Sequence, residues 1–290
     1  MAKKRKSTAA DQAVAPAVRD GASPPMPILA PTTETEDRYT RLIVGQSAFL
    51  FYTAFLLPRS RGAGLPSSLA NLIEPYVEPS RTLDSMIWSI AGCAVVQSAF
   101  SWFVARWRTQ EIQALEAAQA GARAPVKPSS VLQRLARIIE SAATIIVASL
   151  VIHVIIFLLG APLLRKLQYT YLLSLQISVL AVSPLAAAVS LRTTAGRWTW
   201  IRLISLFDPR TETDIAILAP MTGTVVGAWL GAIPIPLDWD RPWQSWPITP
   251  LLGCFVGHFV GSFVGLAICL VRRAVIDEAR ELQAQRAKAQ

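Results

Sequence analysis

The sequence predicts an all-α, polytopic membrane protein with six transmembrane helices and both termini in the cytosol. The chain has 290 residues, of which 52% are hydrophobic, and six long apolar windows contain no charged residue. The basic residues lie between these windows rather than on one soluble face, as topology signals do in membrane proteins. This placement argues against nucleic-acid binding, which the net charge of +9 would otherwise suggest.

Each window is close to the ~20 residues that an α-helix needs to cross about 30 Å of hydrocarbon, and the first is the shortest. The six windows are residues 42–57, 86–105, 141–164, 168–191, 215–237 and 250–271. We therefore expect residues 38–271 to form one transmembrane domain.

The distribution of Lys and Arg predicts the orientation. Two tails and the segments after the second and fourth windows carry 22 of the 28 basic residues. Because Lys and Arg accumulate on the cytosolic side, both termini are predicted to be cytosolic. The turn before the sixth window is then on the opposite side of the membrane.

The segments outside the windows have distinct predicted structures. Residues 1–37 have few large apolar residues and are expected to form a disordered, basic cytosolic tail, whereas residues 272–290 are expected to continue the sixth helix as a cytosolic helical tail. Residues 131–139 and 198–207 are amphipathic and basic, which is typical of interfacial helices. The Thr211–Asp214 segment resembles a helix-starting capping box.

Two rows of glycine, each with a spacing of four residues, lie in the last two windows. Such spacing puts small residues on one side of a helix, where two backbones can approach closely in lipid. We expect one row to pack the two helices together and part of the other to remain for a partner. The rows consist of Gly223, Gly227, Gly231, Gly253, Gly257, Gly261 and Gly265.

A polar turn joins these two windows and is dense in tryptophan, proline and charge. It is interpreted either as an interfacial cap, in which Arg241 neutralises one aspartate, or as a contact for a protein partner or lipid headgroup. Its candidate residues are Asp238, Trp239, Asp240, Arg241, Pro242, Trp243, Gln244, Trp246 and Pro247. Two aspartates without a third acidic or histidine ligand are weak support for a metal site.

The sequence predicts no catalytic set, no metal site and no cofactor. It has no phosphate-binding glycine loop, His-Glu-x-x-His motif or nucleophile elbow, and no segment between windows is large enough for a catalytic domain. The histidines, His153 and His258, lie inside windows and are interpreted as structural hydrogen-bonding groups. The three cysteines also lie inside windows, where they are expected to be small packing residues.

The block from Gly227 to Ile248, GAWLGAIPIPLDWDRPWQSWPI, is followed by a glycine-rich window and closely resembles the Pig-F family. The resemblance is specific over about the last third of the chain, and it does not extend to the N-terminal tail or to the segment from Glu111 to Lys127. The matching positions are Gly227, Trp229, Gly231, Pro234, Pro236, Asp238, Trp239, Asp240, Arg241, Pro242, Trp243, Gln244, Trp246 and Pro247.

This resemblance implies a multi-pass protein of the endoplasmic reticulum membrane that is an accessory subunit rather than an enzyme. It implies a stabilising role in a GPI ethanolamine phosphate transferase complex, which transfers ethanolamine phosphate from phosphatidylethanolamine to GPI mannose. The implied partners are a large multi-span catalytic subunit and membrane lipids. Two alternatives stay open: a lipid transporter or scramblase that supplies phosphatidylethanolamine, and a membrane-embedded transferase.

Overall fold

A computed structural model of the chain describes residues 33–61, 68–120, 130–162, 166–237 and 239–289. This part of the chain contains helices and turns but no strand, which confirms the predicted all-α class. Its α-helices are α1 (Thr33–Phe51), α2 (Leu69–Leu72), α3 (Glu74–Val77), α4 (Thr82–Ala120), α5 (Val131–Leu158), α6 (Leu167–Ala181), α7 (Ser183–Ala188), α8 (Thr194–Ser205), α9 (Glu212–Ala232) and α10 (Ile248–Ala289).

Four helices, α4, α5, α9 and α10, are long and apolar enough to cross a membrane. The other two apolar windows lie on interrupted helices. After α1 the chain continues into a π-helical turn at Tyr52–Leu56. Between α6 and α7 the helix breaks at Val182, two residues before Pro184, whose ring nitrogen cannot donate a helical hydrogen bond.

Several helices extend beyond the apolar windows, and others end inside them. α1 begins at Thr33, so residues 33–37 are helical, contrary to the prediction of a disordered tail through residue 37; residues 1–32 lie outside the described residues. α4 continues through Ala120, while α5 stops at Leu158, before Gly160 with its positive φ of 101°.

The predicted helix starts agree with the structure. Thr211 and Asp214 form a capping box, in which the Thr211 hydroxyl accepts from the Asp214 N–H and the Asp214 carboxylate accepts from the Thr211 N–H. The second amphipathic segment forms α8, and Trp198 on it is 66% exposed. The first amphipathic segment forms the start of α5, capped by Ser130.

The helices pack around two buried apolar clusters, one near each end of the bundle. Tyr39, Trp107 and Leu203 belong to one cluster, and Tyr76 and Phe255 belong to the other. α9 and the first half of α10 form a closely packed antiparallel hairpin, while α5 lies at the edge with most of its surface exposed.

Two glutamines connect helices inside the bundle. The Gln46 side-chain amide donates to Gln97 Oε1 at 2.7 Å, and the Gln97 amide donates to the Leu180 carbonyl at 2.9 Å. These bonds link α1, α4 and α6, as expected for amide side chains within transmembrane windows. The buried amide of Gln176, in contrast, has no hydrogen-bond partner among the described residues.

Candidate functional site

All seven glycines of the two rows lie where α9 and α10 contact each other. A Cβ atom on Gly223 would meet the Gly257 carbonyl oxygen, and a Cβ atom on Gly227 would meet the Gly253 carbonyl oxygen, far inside van der Waals contact. The reciprocal positions are equally tight, since a Cβ on Gly257 would lie 2.8 Å from the Gly227 Cα. The backbones of the hairpin are therefore packed as closely as only glycine permits.

This arrangement corrects the expectation that part of one row is available to a partner. Gly231, near the turn, faces Thr249 and Pro250 on α10, and Gly261 faces Ala219 and Pro220 on α9. At the other end, a Cβ atom added to Gly265 would lie 3.0 Å from the Cβ atom of Ala219. Both rows are occupied by the hairpin itself, because the two rows meet face to face in antiparallel helices.

A buried polar pair lies beside the glycine contact. His258 Nδ1 and Thr224 Oγ1 are 3.0 Å apart, and the Thr224 hydroxyl also lies 2.7 Å from the Pro220 carbonyl. Hydrogen bonds of this kind join helices in lipid, which agrees with a structural interpretation of His258. His153 instead packs edge-on against Tyr171, with ring centroids 6.0 Å apart.

The polar turn after α9 is organised by Gln244, which is buried. Its amide nitrogen donates to the carbonyls of Pro234 and Leu237 at 2.8 and 2.6 Å, and its Oε1 accepts from the Arg241 N–H at 2.9 Å. A short 3₁₀ turn at Pro242–Gln244 supports the same geometry. One side chain thus ties the end of α9 to both halves of the turn.

The three tryptophans of the turn have different environments. Trp239 is 54% exposed, and its ring meets that of Trp243 with centroids 5.8 Å apart. Trp246 is anchored inward, because its indole N–H donates to Thr170 Oγ1 at 3.0 Å and its carbonyl accepts from Lys166 at 3.2 Å. The turn therefore presents the exposed ring of Trp239 against a half-buried Trp243, while Trp246 fixes the turn to α6.

The predicted neutralisation of one aspartate by Arg241 can be examined in the described residues only for Asp240. Asp240 and Arg241 are both exposed, and the part of the chain that the structure describes contains no ion pair between them. Asp238 lies outside the described residues.

Replacing Gln244 by alanine is expected to loosen the turn, because three backbone hydrogen-bond partners in the turn lose their common, buried side chain. At about 1 kcal/mol per bond, the turn should open more often and be cleaved by chymotrypsin about tenfold faster or more. Timed digestion of the purified chain with mass mapping of the cuts measures this. Ser245→Ala is the control, since Ser245 is exposed; equal cleavage of both variants would contradict the role of Gln244.

The opposite end of the hairpin carries a charged cluster that sequence reasoning missed. Asp214 is fully buried at the start of α9; its two carboxylate oxygens accept from Arg108 at 2.6 Å and Arg202 at 2.7 Å. Next to it, Glu111 accepts from the Thr213 hydroxyl at 2.5 Å. The cluster joins α4, α8 and α9, and the capping box at Asp214 was its one sequence signal.

Among the described residues, no group of three or more His, Cys, Asp or Glu side chains is placed to hold a metal ion. The three cysteines, Cys93, Cys254 and Cys269, are free and buried. The described residues thus form a closely packed helical hairpin with the Trp239–Trp243 pair at one end, of which Trp239 is exposed, and an ion cluster at the other.

Comparison with known proteins identifies a protein family that this chain matches. The model of the GPI biosynthesis protein family Pig-F matches residues 72–266, about two thirds of the chain. The matched segment contains α4 to α9, the polar turn and both glycine rows. No solved structure matches the chain.

Three curated relatives are similar over shorter stretches. The Glycosylphosphatidylinositol anchor biosynthesis protein 11 of Yarrowia lipolytica is 39% identical over 46% of this chain and 56% of its own length. The human "GPI ethanolamine phosphate transferase, stabilizing subunit" is 32% identical over 46% of this chain and 58% of its own length. A PIGF/3-ketodihydrosphingosine reductase fusion protein of Schizosaccharomyces pombe is 40% identical over 42% of this chain and 24% of its own length. The chain thus spans less than two thirds of each of these relatives.

Proposed function

This chain belongs to the GPI biosynthesis protein family Pig-F, and on that premise we propose that it is a non-catalytic stabilising subunit of a GPI ethanolamine phosphate transferase complex. In this role it supports transfer of ethanolamine phosphate from phosphatidylethanolamine to GPI mannose by a separate, multi-span catalytic subunit. The observation that carries the proposal is the family match across the hairpin and its turn, together with relatives named as stabilizing subunits.

The geometry of the turn supports a role in protein contact. The exposed Trp239, supported by the half-buried Trp243, loses little conformational entropy on binding, and tryptophan is enriched among residues that dominate interfaces. The Gln244 bonds and the Trp246 anchor provide that support for Trp239 and Trp243. Since the glycine rows are occupied by α9 and α10, the proposed partner contacts the turn and the outer helix faces.

We place the protein in the endoplasmic reticulum membrane with six spans, residues 38–271 forming the transmembrane domain and both termini in the cytosol. α4, α5, α9 and α10 supply four of these spans. α1 with its π-helical turn and α6 with α7 supply the other two, since their windows carry no charge. Lys and Arg are concentrated in the two tails and in the segments after the second and fourth windows. This distribution supports the orientation, which puts the Trp239–Trp243 pair on the luminal side.

The double variant Trp239→Ala/Trp243→Ala is expected to lower recovery of the catalytic subunit about tenfold or more, since truncating an interface hot spot costs at least about 2 kcal/mol. The measurement is quantitative mass spectrometry of proteins that co-purify with the tagged full chain in mild detergent. The expected main companion of the unchanged chain is a large GPI ethanolamine phosphate transferase.

Trp198→Ala is the matched control, because Trp198 is 66% exposed on α8 at the opposite end of the bundle. Size-exclusion chromatography of each variant reports whether the chain remains folded. Full recovery with a folded double variant would remove the turn from the interface. Absence of any transferase with the unchanged, monodisperse chain would refute the stabilising role itself.

A further inference from the structure

A groove of about 480 Å³ lies between α1 and α4, away from the hairpin and its turn. Its apolar wall includes Leu42, Ala99 and Phe103, and its polar end includes Arg38 and Arg106. Among the described residues that line it, none carries a carboxylate. The groove thus combines an apolar surface with positive charge at one end.

Arg106 is held at the edge of this groove by an aromatic side chain. Its guanidinium carbon lies 5.7 Å from the ring centroid of Trp102, which is 65% exposed. Arg106 directly follows the second apolar window, so this pair sits where hydrocarbon gives way to headgroups. A guanidinium stacked in this way keeps its hydrogen-bond donors free to bind phosphate oxygens in a bidentate manner.

We propose that the α1–α4 groove binds an anionic phospholipid, with the lipid phosphate on Arg106 and an acyl chain along Leu42, Ala99 and Phe103. The apolar wall favours a lipid over a free phosphate, because a phosphate ion has no apolar part that could pack against it. The positive charge of Arg106 at the headgroup level favours an anionic lipid over a zwitterionic one. The assignment to the cytosolic leaflet rests on the topology proposed above, while the binding itself does not.

The site lies apart from the elements on which the proposed stabilising function rests. Arg38 and Leu42 precede the segment matched by the family model, which begins at residue 72. The groove is also separated from the luminal turn by the length of α4. Lipid binding here would anchor the N-terminal helix α1 against α4 at the membrane boundary.

Photolabelling of the purified full chain tests the proposal. The chain is reconstituted in phosphatidylcholine vesicles that contain either diazirine-bearing phosphatidylserine or diazirine-bearing phosphatidylcholine, and labelled peptides are quantified by mass spectrometry. We expect phosphatidylserine to label peptides around residues 38–42 and 99–106 several times more than phosphatidylcholine. Arg106→Gln should reduce that labelling about fivefold, the loss expected for one basic residue at an anionic surface.

Two pairs of variants separate the groove from general surface charge. Arg41→Gln removes a charge from the same end of α1, but Arg41 bonds its own helix at the Asp37 carbonyl and does not line the groove, so labelling should persist. Ala99→Phe should fill the groove and abolish labelling, whereas Ser98→Phe, on an exposed neighbouring position outside the groove, should not.

Equal labelling by the two lipids, or unchanged labelling in Arg106→Gln, would overturn the proposal. Loss of labelling on addition of inorganic phosphate would identify a free-phosphate site and would also overturn it. No transferase is present in this assay, so its failure leaves the proposed stabilising function untouched.

Discussion

Gly257→Ala is expected to destabilise the α9–α10 hairpin by about 3 kcal/mol or more, the upper end of the usual cost of overpacking. The added methyl group would meet the Gly223 carbonyl oxygen and the Gly227 Cα, which belong to backbone and cannot change rotamer. The helices must then separate, and every neighbouring glycine contact weakens with them. Thermal denaturation of the purified chain in detergent, followed by size-exclusion chromatography, measures the loss.

The matched control is Gly45→Ala on α1. A Cβ atom at Gly45 has no heavy atom within 4 Å, so only the intrinsic preference of the helix for alanine remains. That preference is worth up to about 1 kcal/mol in favour of alanine, so this variant should be unchanged or slightly more stable. The same substitution is thus expected to have opposite signs at the two positions. Similar stability of both variants would show that the glycine rows are not a close helix contact.

The sequence predicts that glycines at a spacing of four lie on one helix face, because 3.6 residues make one turn. It does not reveal what that face meets. Two rows on consecutive helices can pack against each other or against separate partners, and both choices have the same periodicity. Only the antiparallel geometry, which places Gly223 opposite Gly257 and Gly227 opposite Gly253, shows that the rows face each other.

Hydropathy located the helical regions but not their ends. An apolar window marks residues that suit lipid, whereas a helix continues as long as its backbone hydrogen bonds are made. α1 therefore starts nine residues before its window, at Thr33 rather than Leu42. At Val182 the opposite occurs, because the helix is interrupted inside an apolar window. The sequence there remains apolar, but Pro184 interrupts the helical hydrogen bonds.

Buried polar contacts were the least predictable part of the candidate site. Gln244 is a candidate residue because it lies in the polar turn, but its role depends on carbonyls ten and seven residues earlier in the chain. The partners Arg108 and Asp214 are 106 residues apart, and no sequence period connects them. Such contacts arise from how helices dock, which a single sequence does not encode as a local pattern.

Asp214→Asn is expected to destabilise the fold by about 3–5 kcal/mol, the usual cost of removing one partner from a buried ion pair. The variant keeps the size of the side chain but leaves Arg108 and Arg202, whose side chains are 12% and 15% exposed, without a compensating charge. The asparagine amide also replaces one acceptor oxygen by a donor that faces a guanidinium. Titration of the purified chain with SDS, followed by tryptophan fluorescence, measures the loss.

Asp208→Asn is the control, because Asp208 pairs with Arg210 at the surface, where both side chains are about half exposed. Removing such a pair costs at most about 1 kcal/mol.

The charge argument predicts a further result: adding Arg202→Met to Asp214→Asn should restore part of the stability, since one uncompensated buried charge disappears. If the double variant instead loses the sum of the two single effects, Arg202 and Asp214 do not interact energetically. The ion pair would then follow from how the helices pack and would not stabilise them. The apolar contacts around Leu203 and Ile217 would hold α4, α8 and α9 together instead.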